Sequence, residues 1–164
     1  MLYRLYIGNL GDAEAVLARK KDAKDPAPAA ELLTMKHKPN DPDERKRIED
    51  AGGHVVFGRV LGSLAVSRAF GDSEFKAPRN RQPTHFVSND PYLKVVSVDP
   101  NVPFMIIACD GLWDKVTYQD AVDFVAQRYK AKVSPKDAAA QLVEKALKDG
   151  TFDNVSVIIV YFSW

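Results

Sequence analysis

The chain has 164 residues, of which 46% are hydrophobic and 27% are charged, and its formal net charge at pH 7 is +1. This length suits a single domain over residues 1–164, and the nearly balanced charge gives no electrostatic basis for binding nucleic acid or an anionic membrane. No apolar run approaches the about 20 residues that span a bilayer, and the lone Cys109 fits a reducing compartment, so the sequence predicts a soluble protein of the cytoplasm and/or nucleus.

The first half of the sequence predicts strands on either side of one helix. Two strand-like runs, LYRLYIGNLG and EAVLARK, meet at a turn at Gly11-Asp12 and are predicted to pair as a hairpin. A short strand is expected in ELLTMKHK. The next run, PNDPDERKRIEDAGG, predicts a helix that an aspartate caps and that the Gly52-Gly53 pair ends.

The second half alternates strands with two amphipathic helices. HVVFGRVLGSLAVSRAFGD predicts bent strands interrupted by glycines, and a basic loop with Lys76, Arg79 and Arg81 follows it. YLKVVSV, FMIIAC and VSVIIVYF are typical of strands, and the two helices are predicted to begin after the caps Thr117 and Ser134. About seven strands and three helices, inserted between antiparallel-looking runs, predict an α+β fold rather than a doubly wound sheet.

Three apolar strands adjoin an acidic residue and a tight turn. They are IGNLGDAEAVL with Asp12, FMIIACDGLWD with Asp110 and Asp114, and GTFDNVSVIIV with Asp153. If the strands lie side by side, their carboxylates meet at one sheet edge, where a divalent cation relieves their repulsion. Mg²⁺ or Mn²⁺ fits better than zinc because the sequence has no His/Cys cluster. Asp and Gly are also ordinary turn residues, so spacing alone leaves a metal site and a set of structural turns equally open.

Several of these runs together resemble one enzyme family. GRVLGSLAVSRAFGD, ACDGLWD and DNVSVIIV resemble signatures of the type 2C family of metal-dependent serine/threonine protein phosphatases, and YIGNLGDAEAVL and AGGHVVFGRV match in the same order. The resemblance implies an antiparallel β-sandwich with flanking helices and a cleft for two catalytic Mg²⁺ or Mn²⁺ ions, plus a possible third. It also implies that metal-activated water hydrolyses phosphoserine and phosphothreonine in protein substrates.

The resemblance further implies which residues hold the ions. Asp110 and Asp153 match ligands of the catalytic pair. Asp114 and Asp12 match ligands of a further, weaker ion that Asp110 shares. Asn154 is expected to orient Asp153 rather than to bind metal. The positions implied in a supporting role are Asn154, Gly111 and Asp72.

The sequence also departs from the family pattern. It has no Asp-Gly-His-Gly stretch, which in the family supplies an aspartate that bridges both ions and a histidine proton donor, and no counterpart of the arginine that binds the substrate phosphate. The chain therefore resembles a phosphatase domain without its N-terminal part, and no catalytic residue is assigned in it. Because such charge clamps supply much of the catalysis, we expect little or no activity from the chain alone.

Other polar residues are expected to have structural roles. His37, His54 and His85 are interpreted as solvated or hydrogen-bonded histidines, and Arg68 as the partner of a carboxylate inside the fold. Glu14 stands where the family commonly has a basic residue, and we interpret it as a surface residue of the predicted hairpin rather than as a metal ligand.

The absence of part of the family pattern affects which partners and which alternative functions we expect. Without the N-terminal part, an apolar sheet face or edge should be bare, which predicts self-association or a bound N-terminal companion fragment. A non-catalytic phosphatase-like scaffold is the main alternative to an enzyme. A cysteine-based phosphatase is disfavoured, because the residue six positions after Cys109 is Lys115 and not the arginine that such a phosphate loop needs.

Overall fold

A computed structural model describes residues 3–22, 24–25, 27–79 and 84–164 of the chain. Arg81, which the sequence places in a basic loop, lies outside the described residues. The described part forms two compact units, which we call unit 1, within 1–7, 13–34 and 94–164, and unit 2, within 8–12 and 35–93. Among the described residues, none of the helices could span a membrane.

Strands and helices alternate along the described chain. The eight strands are β1 (Tyr3–Asn9), β2 (Glu14–Arg19), β3 (Ala29–Leu32), β4 (Val55–Val56), β5 (Arg59–Val60), β6 (Tyr92–Val98), β7 (Phe104–Ala108) and β8 (Val157–Tyr161). The four α-helices are α1 (Pro42–Asp50), α2 (Asp110–Trp113), α3 (Tyr118–Lys130) and α4 (Pro135–Lys148). The short helix α2 forms where the sequence predicts only a tight turn.

Unit 1 contains a four-stranded antiparallel sheet in the order β3-β2-β7-β8. Val16 of β2 lies opposite Ile106 of β7, and Ile106 lies opposite Ile159 of β8. Five of the six residues of β2 are buried, as expected for an interior strand covered on both faces. The sheet therefore forms the centre of unit 1.

A second sheet of β1 and β6 packs on one face of this sheet. One apolar cluster joins inward-facing side chains of β1 and β6, such as Leu5 and Val96, with Leu17 of β2 and Met105 of β7. Because alternate residues of a strand point to opposite faces, the neighbours of Leu17 contribute to the cluster on the other side of β2. The antiparallel β-sandwich with flanking helices, predicted from the sequence, is confirmed.

Helices α3 and α4 cover the other face of the four-stranded sheet. Their buried residues, including Val122 and Leu142, pack with Phe104 and Ile106 of β7. The Thr117 hydroxyl accepts the N–H of Asp120 at the start of α3, and Ser134 caps α4 in the same way, through the N–H of Asp137. These two predicted caps are confirmed, whereas Asp41 stands at the N-cap of α1 without a side-chain hydrogen bond to the helix, so the predicted aspartate cap does not form.

The predicted hairpin between the first two strands is wrong. Strand β1 pairs with β6, whereas β2 pairs with β3 and β7, so the first two strands belong to different sheets. Gly11 adopts a left-handed backbone with φ of 81°, which turns the chain between the two strands. Exposed and partly buried residues alternate in β1, whereas β2 is buried over nearly its whole length. This difference is expected because a strand of the outer sheet has one solvent-exposed face and an interior strand has none.

Unit 2 is organised around helix α1 and a buried ion-pair network. Ile48 of α1 packs with Val60, Phe75 and other apolar residues in its core. Glu44, only 2% exposed, accepts hydrogen bonds from the Arg68 guanidinium at 2.5 and 3.0 Å and from Arg47 at 3.0 Å. The prediction that Arg68 pairs with a carboxylate inside the fold is confirmed.

His37 is fully buried in the same unit. Its Nδ1 lies 3.1 Å from the Gly11 carbonyl oxygen, which fits the neutral tautomer with Nδ1–H as donor, while the buried Nε2 has no hydrogen-bond partner among the described residues. Burial, and then the positive charge of Arg68, lower the pKa of His37 below its ordinary value. This is the hydrogen-bonded structural histidine that the sequence predicts.

The buried histidine predicts a stability loss on mild acidification. Because its pKa is lower in the folded state, the unfolded chain binds the proton more readily, so the free energy of unfolding should fall as the pH drops below the ordinary value of 6.5. Urea unfolding between pH 7.5 and 5.5 measures the slope. His37→Gln should flatten it, whereas the exposed His54→Gln should leave it unchanged. A slope that is equal in all three proteins would contradict this role.

Candidate functional site

Two of the predicted acidic turns lie against each other in unit 1. Cys109, just after β7, donates its N–H to the Ser156 carbonyl oxygen at 3.2 Å, and its thiol contacts the Asn154 carbonyl oxygen and the Ser156 N–H, each at 3.2 Å. These bonds extend the β7–β8 pairing beyond the last paired residues, Ala108 and Val157. The turns that carry Asp110 and Asp153 are therefore held side by side.

Gly111 is the point of closest approach between these turns. A Cβ atom at this residue would lie 2.2 Å from the Asn154 carbonyl oxygen and 3.5 Å from the Asp153 Cβ. The first distance is far below contact, and the atom it meets belongs to the backbone, so no side chain larger than hydrogen fits. Gly111 therefore lets one acidic turn close onto the other.

The individual side chains at the two turns differ in exposure. Asp110 is half-buried at the start of α2, and Asp114 is exposed one helical turn later, where its N–H donates to the Asp110 carbonyl oxygen at 2.8 Å. Asp153 is exposed, and its Oδ1 accepts the backbone N–H of Asn154 at 2.7 Å. Asn154 therefore contacts the Asp153 carboxylate through its backbone.

The other two predicted acidic residues lie in unit 2. The Asp12 carboxylate forms an ion pair with the Lys38 ammonium, so a cation of the chain itself balances its charge. Asp72 is exposed in a left-handed conformation with φ of 46°, and its carbonyl oxygen accepts the Phe75 N–H at 3.0 Å. Asp72 thus closes a turn through its backbone.

Glu14 differs from its interpretation as a surface residue. It is 2% exposed at the start of β2, and its Oε2 accepts the Tyr118 hydroxyl at 2.7 Å. Burial, the hydrogen bond to Glu14 and its charge raise the pKa of Tyr118 to about 12. The surface interpretation assumed the hairpin that does not form. The buried apolar run that follows Glu14 is the signal that could have placed it inside.

The oxygen atoms that the two acidic turns offer are of the kind that a divalent cation prefers, but they are too few for a complete metal site. Among the residues that the structure describes, no group of three or more His, Cys, Asp or Glu side chains could hold a metal ion. The side chains that these two turns carry, Asp110 and Asp153, offer carboxylate oxygens, which Mg²⁺ and Mn²⁺ prefer. Water and further oxygen ligands would have to complete the coordination. Neither aspartate lines any of the cavities of about 700, 630, 590 and 530 Å³ found among the described residues.

Comparison with known protein sequences identifies a protein family and several relatives that the chain resembles. The profile described as "Protein phosphatase 2C" matches residues 2–155. Protein spalten of Dictyostelium discoideum is 39% identical over 165 residues, which cover 98% of this chain and 16% of that protein. Probable protein phosphatase 2C 45 of Oryza sativa subsp. japonica is 38% identical over 162 residues, which cover 97% and 51%. The chain thus spans about half, or less, of these relatives.

Solved structures give the same result for the fold. A phosphatase from a pathogenic strain of Toxoplasma gondii aligns with a TM-score of 0.82 at 32% identity, covering 98% of this chain and 48% of that one. A serine-threonine phosphatase 2C from Toxoplasma gondii aligns with a TM-score of 0.81 at 27% identity, covering 98% and 55%. Because the family profile covers nearly the whole sequence, the chain belongs to the protein phosphatase 2C family, as its motifs predict.

Proposed function

We propose that the chain is part of the catalytic domain of a metal-dependent protein phosphatase that hydrolyses phosphoserine and phosphothreonine. Membership of the protein phosphatase 2C family supports phosphorylated proteins as substrates. The observation that carries the proposal is the contact between the two acidic turns, in which Gly111 lies against Asn154 and close to Asp153. Carboxylates carried on two adjoining turns can share a divalent cation, which relieves their repulsion.

In this proposal Asp110 and Asp153 bind Mg²⁺ or Mn²⁺. Such a bound cation would acidify a water molecule and neutralise charge on the transferred phosphoryl group. The half-buried Asp110 would be positioned by the first turn of α2, and the Asn154 N–H would fix one oxygen of Asp153. Asp114 and Asp12 remain ligands implied by the family pattern for a further ion.

We also propose that another polypeptide segment covers the outer face of the β1–β6 sheet. Tyr6 and Val95 point away from the sandwich core and are 71% and 55% exposed. The outer edge of β8 is likewise unpaired among the described strands. An N-terminal companion fragment would bury both surfaces, and self-association is the alternative that uses the same surfaces. Light scattering and mass spectrometry of purified material distinguish these two states.

The missing elements of the family pattern predict low activity. With a serine-phosphorylated peptide and Mn²⁺, the chain alone should release phosphate at the background rate, because the sequence supplies neither a bridging aspartate of an Asp-Gly-His-Gly stretch nor the phosphate-binding arginine. The Asp110→Asn variant serves as the control. Turnover that exceeds background and disappears in this variant would disprove inactivity of the chain while supporting its metal-dependent chemistry.

A non-catalytic scaffold is the second candidate, and the Asp12–Lys38 ion pair favours it, because an ammonium group already neutralises one predicted metal ligand. Titration with Mn²⁺ followed by electron paramagnetic resonance distinguishes the two functions. The phosphatase proposal requires that the chain binds Mn²⁺, that Asp153→Asn weakens this binding, and that the α3 surface change Asp123→Asn does not.

A location in the cytoplasm and/or nucleus is also proposed, on the basis of the single unpaired cysteine. Microscopy of a fluorescent fusion tests this location.

A further inference from the structure

A cavity of about 590 Å³ lies in unit 1, away from the acidic turns. It is bounded by the end of α3, the beginning of α4, Phe104 of β7 and Tyr161 of β8. Phe104 and Tyr161 lie opposite each other in the β7–β8 register, whereas Ala108 and Val157 pair near the acidic turns. Four residues of strand separate the two ends of the ladder by roughly 14 Å. The cavity is therefore a second location on the same pair of strands.

The inner wall of the cavity is aromatic. The rings of Tyr129 and Tyr161 meet edge to face at a centroid distance of 4.9 Å, and Phe104 lies 6.0 Å from the first ring and 6.3 Å from the second. All three residues line the cavity, but Phe104 is fully buried, so the accessible aromatic surface belongs to Tyr129 and Tyr161. Rings at these distances form a stable apolar surface that favours a flat apolar body. The volume also lies within the range typical of small-molecule pockets.

The rim of the cavity is positively charged. Lys20, Lys130 and Lys132 line it, and none of its described lining residues is acidic. Lys20 and Lys132 form no ion pair among the described residues. The first residues of the 14-residue helix α4, Ser134 and Pro135, also line the cavity. The Ser134 hydroxyl donates to the Asp137 carboxylate at 2.7 Å, so the positive charge of the rim comes from the lysines. The positive charge on this rim favours the binding of an anion.

Two local features agree with a ligand at this place. Lys132 adopts a left-handed backbone with φ of 57° just after the end of α3, a conformation that favours glycine and has a conformational cost for lysine. The Tyr161 hydroxyl is buried and has no hydrogen-bond partner among the described residues. Burial and the neighbouring Tyr129 raise the pKa of Tyr161, which keeps this hydroxyl protonated as a donor. A buried donor without an acceptor is unfavourable.

We propose that this cavity binds a small organic anion with a flat aromatic body. The ring stacks on the aromatic wall, and the anionic group contacts the lysines. The proposal stands independently of the phosphatase activity, because the cavity shares no residue with the acidic turns.

The test uses naphthalene-2-sulfonate, which a phosphatase cannot hydrolyse, and the complete 164-residue chain labelled with ¹⁵N. In a titration followed by NMR, we expect saturable shifts in the amides around 129–134, at the junction of α3 and α4. Inorganic sulfate lacks the ring and neutral 2-naphthol lacks the charge, so each should bind at least about fivefold more weakly. Equal binding of either comparison compound, or shifts confined to other surfaces, would overturn the proposal.

Lys132→Gly separates binding from folding. Glycine suits the left-handed backbone at this position, so the variant should be at least as stable as the original chain while its affinity for the sulfonate falls about fivefold. Lys148→Ala removes the same charge from a 79% exposed lysine that does not line the cavity, and it should leave the affinity unchanged. Unaltered affinity in Lys132→Gly, or an equal loss in both variants, would refute the assigned role of Lys132.

Discussion

Replacing Gly111 with alanine should lower the free energy of unfolding by about 3 kcal/mol, the upper part of the range for overpacked interiors. The added Cβ would lie 2.2 Å from the Asn154 carbonyl oxygen. A backbone atom cannot rotate away as a side chain can, so the two acidic turns must separate. Urea unfolding measures the stability loss. Because Asp110 and Asp153 would move apart, the same variant should also bind Mn²⁺ more weakly.

Gly8→Ala is the matched control for this prediction. Gly8 is exposed in β1, and its added Cβ would meet Leu93 and Pro91 at the ordinary distances of 3.5 and 4.0 Å. Its effect should therefore stay within about 0.5 kcal/mol. If Gly111→Ala is as mild as Gly8→Ala, the close contact between the acidic turns does not exist in solution, and the proposed metal site loses its geometric basis.

Glu44→Gln should destabilise the chain by about 3 kcal/mol or more, as for other buried ion pairs that lose one partner. The substitution preserves size but leaves the Arg68 and Arg47 guanidinium groups without their shared carboxylate. Glu49→Gln provides a control on the same helix, where the exposed pair with Arg45 should contribute less than about 0.5 kcal/mol. Equal effects of the two substitutions in chemical denaturation would contradict the importance of the buried network.

The same carboxylate predicts a dependence of stability on acid. Burial raises the pKa of Glu44, but the hydrogen bonds from its arginine partners outweigh it and hold the pKa at about 2, below the ordinary 4.5. Its stabilising contribution is therefore complete above pH 4.5 and is lost as the pH falls towards 2. In unfolding measurements over this interval, the original chain should lose more stability than Glu44→Gln. Parallel curves would show that Glu44 titrates normally.

Local sequence signals predicted α3 and α4 well because each of these helices has its own start and stop. Thr117 and Ser134 cap helices that turn their apolar sides to the core, and the glycine at 150 follows the last helix. Short-range hydrogen bonds fix such ends, so neighbouring residues are sufficient to identify them. The helix α2, by contrast, contains only four residues, too few for a periodic pattern.

Strand pairing was less accessible from the sequence. Adjacent strands joined by a short turn normally form a hairpin, yet β1 and β2 enter different sheets. The partner of β1 is β6, far along the chain, and no local pattern encodes that choice. The misplacement of Glu14 followed directly from this error, because the burial of a strand residue depends on which strands flank it.

The candidate site was predicted in part. The motifs located Asp110 and Asp153 at strand ends, and the side-by-side arrangement of their turns follows from the β7–β8 pairing. Spacing could not reveal that Lys38 pairs with Asp12, since the two residues are distant in sequence. It also gave no sign of the tight contact at Gly111, which depends on the path of a second turn.

The pairing of β1 with β6 and of β2 with β7 also has a kinetic consequence. Each ladder joins segments that are more than 80 residues apart in the sequence. The entropy of closing such long loops must be lost before the contacts can form, so the contact order is high and the chain should fold slowly. The β2–β3 hairpin and the two capped helices can form early, whereas the sandwich closes late. During synthesis on the ribosome, β2 can therefore pair with β7 only after β7 has emerged.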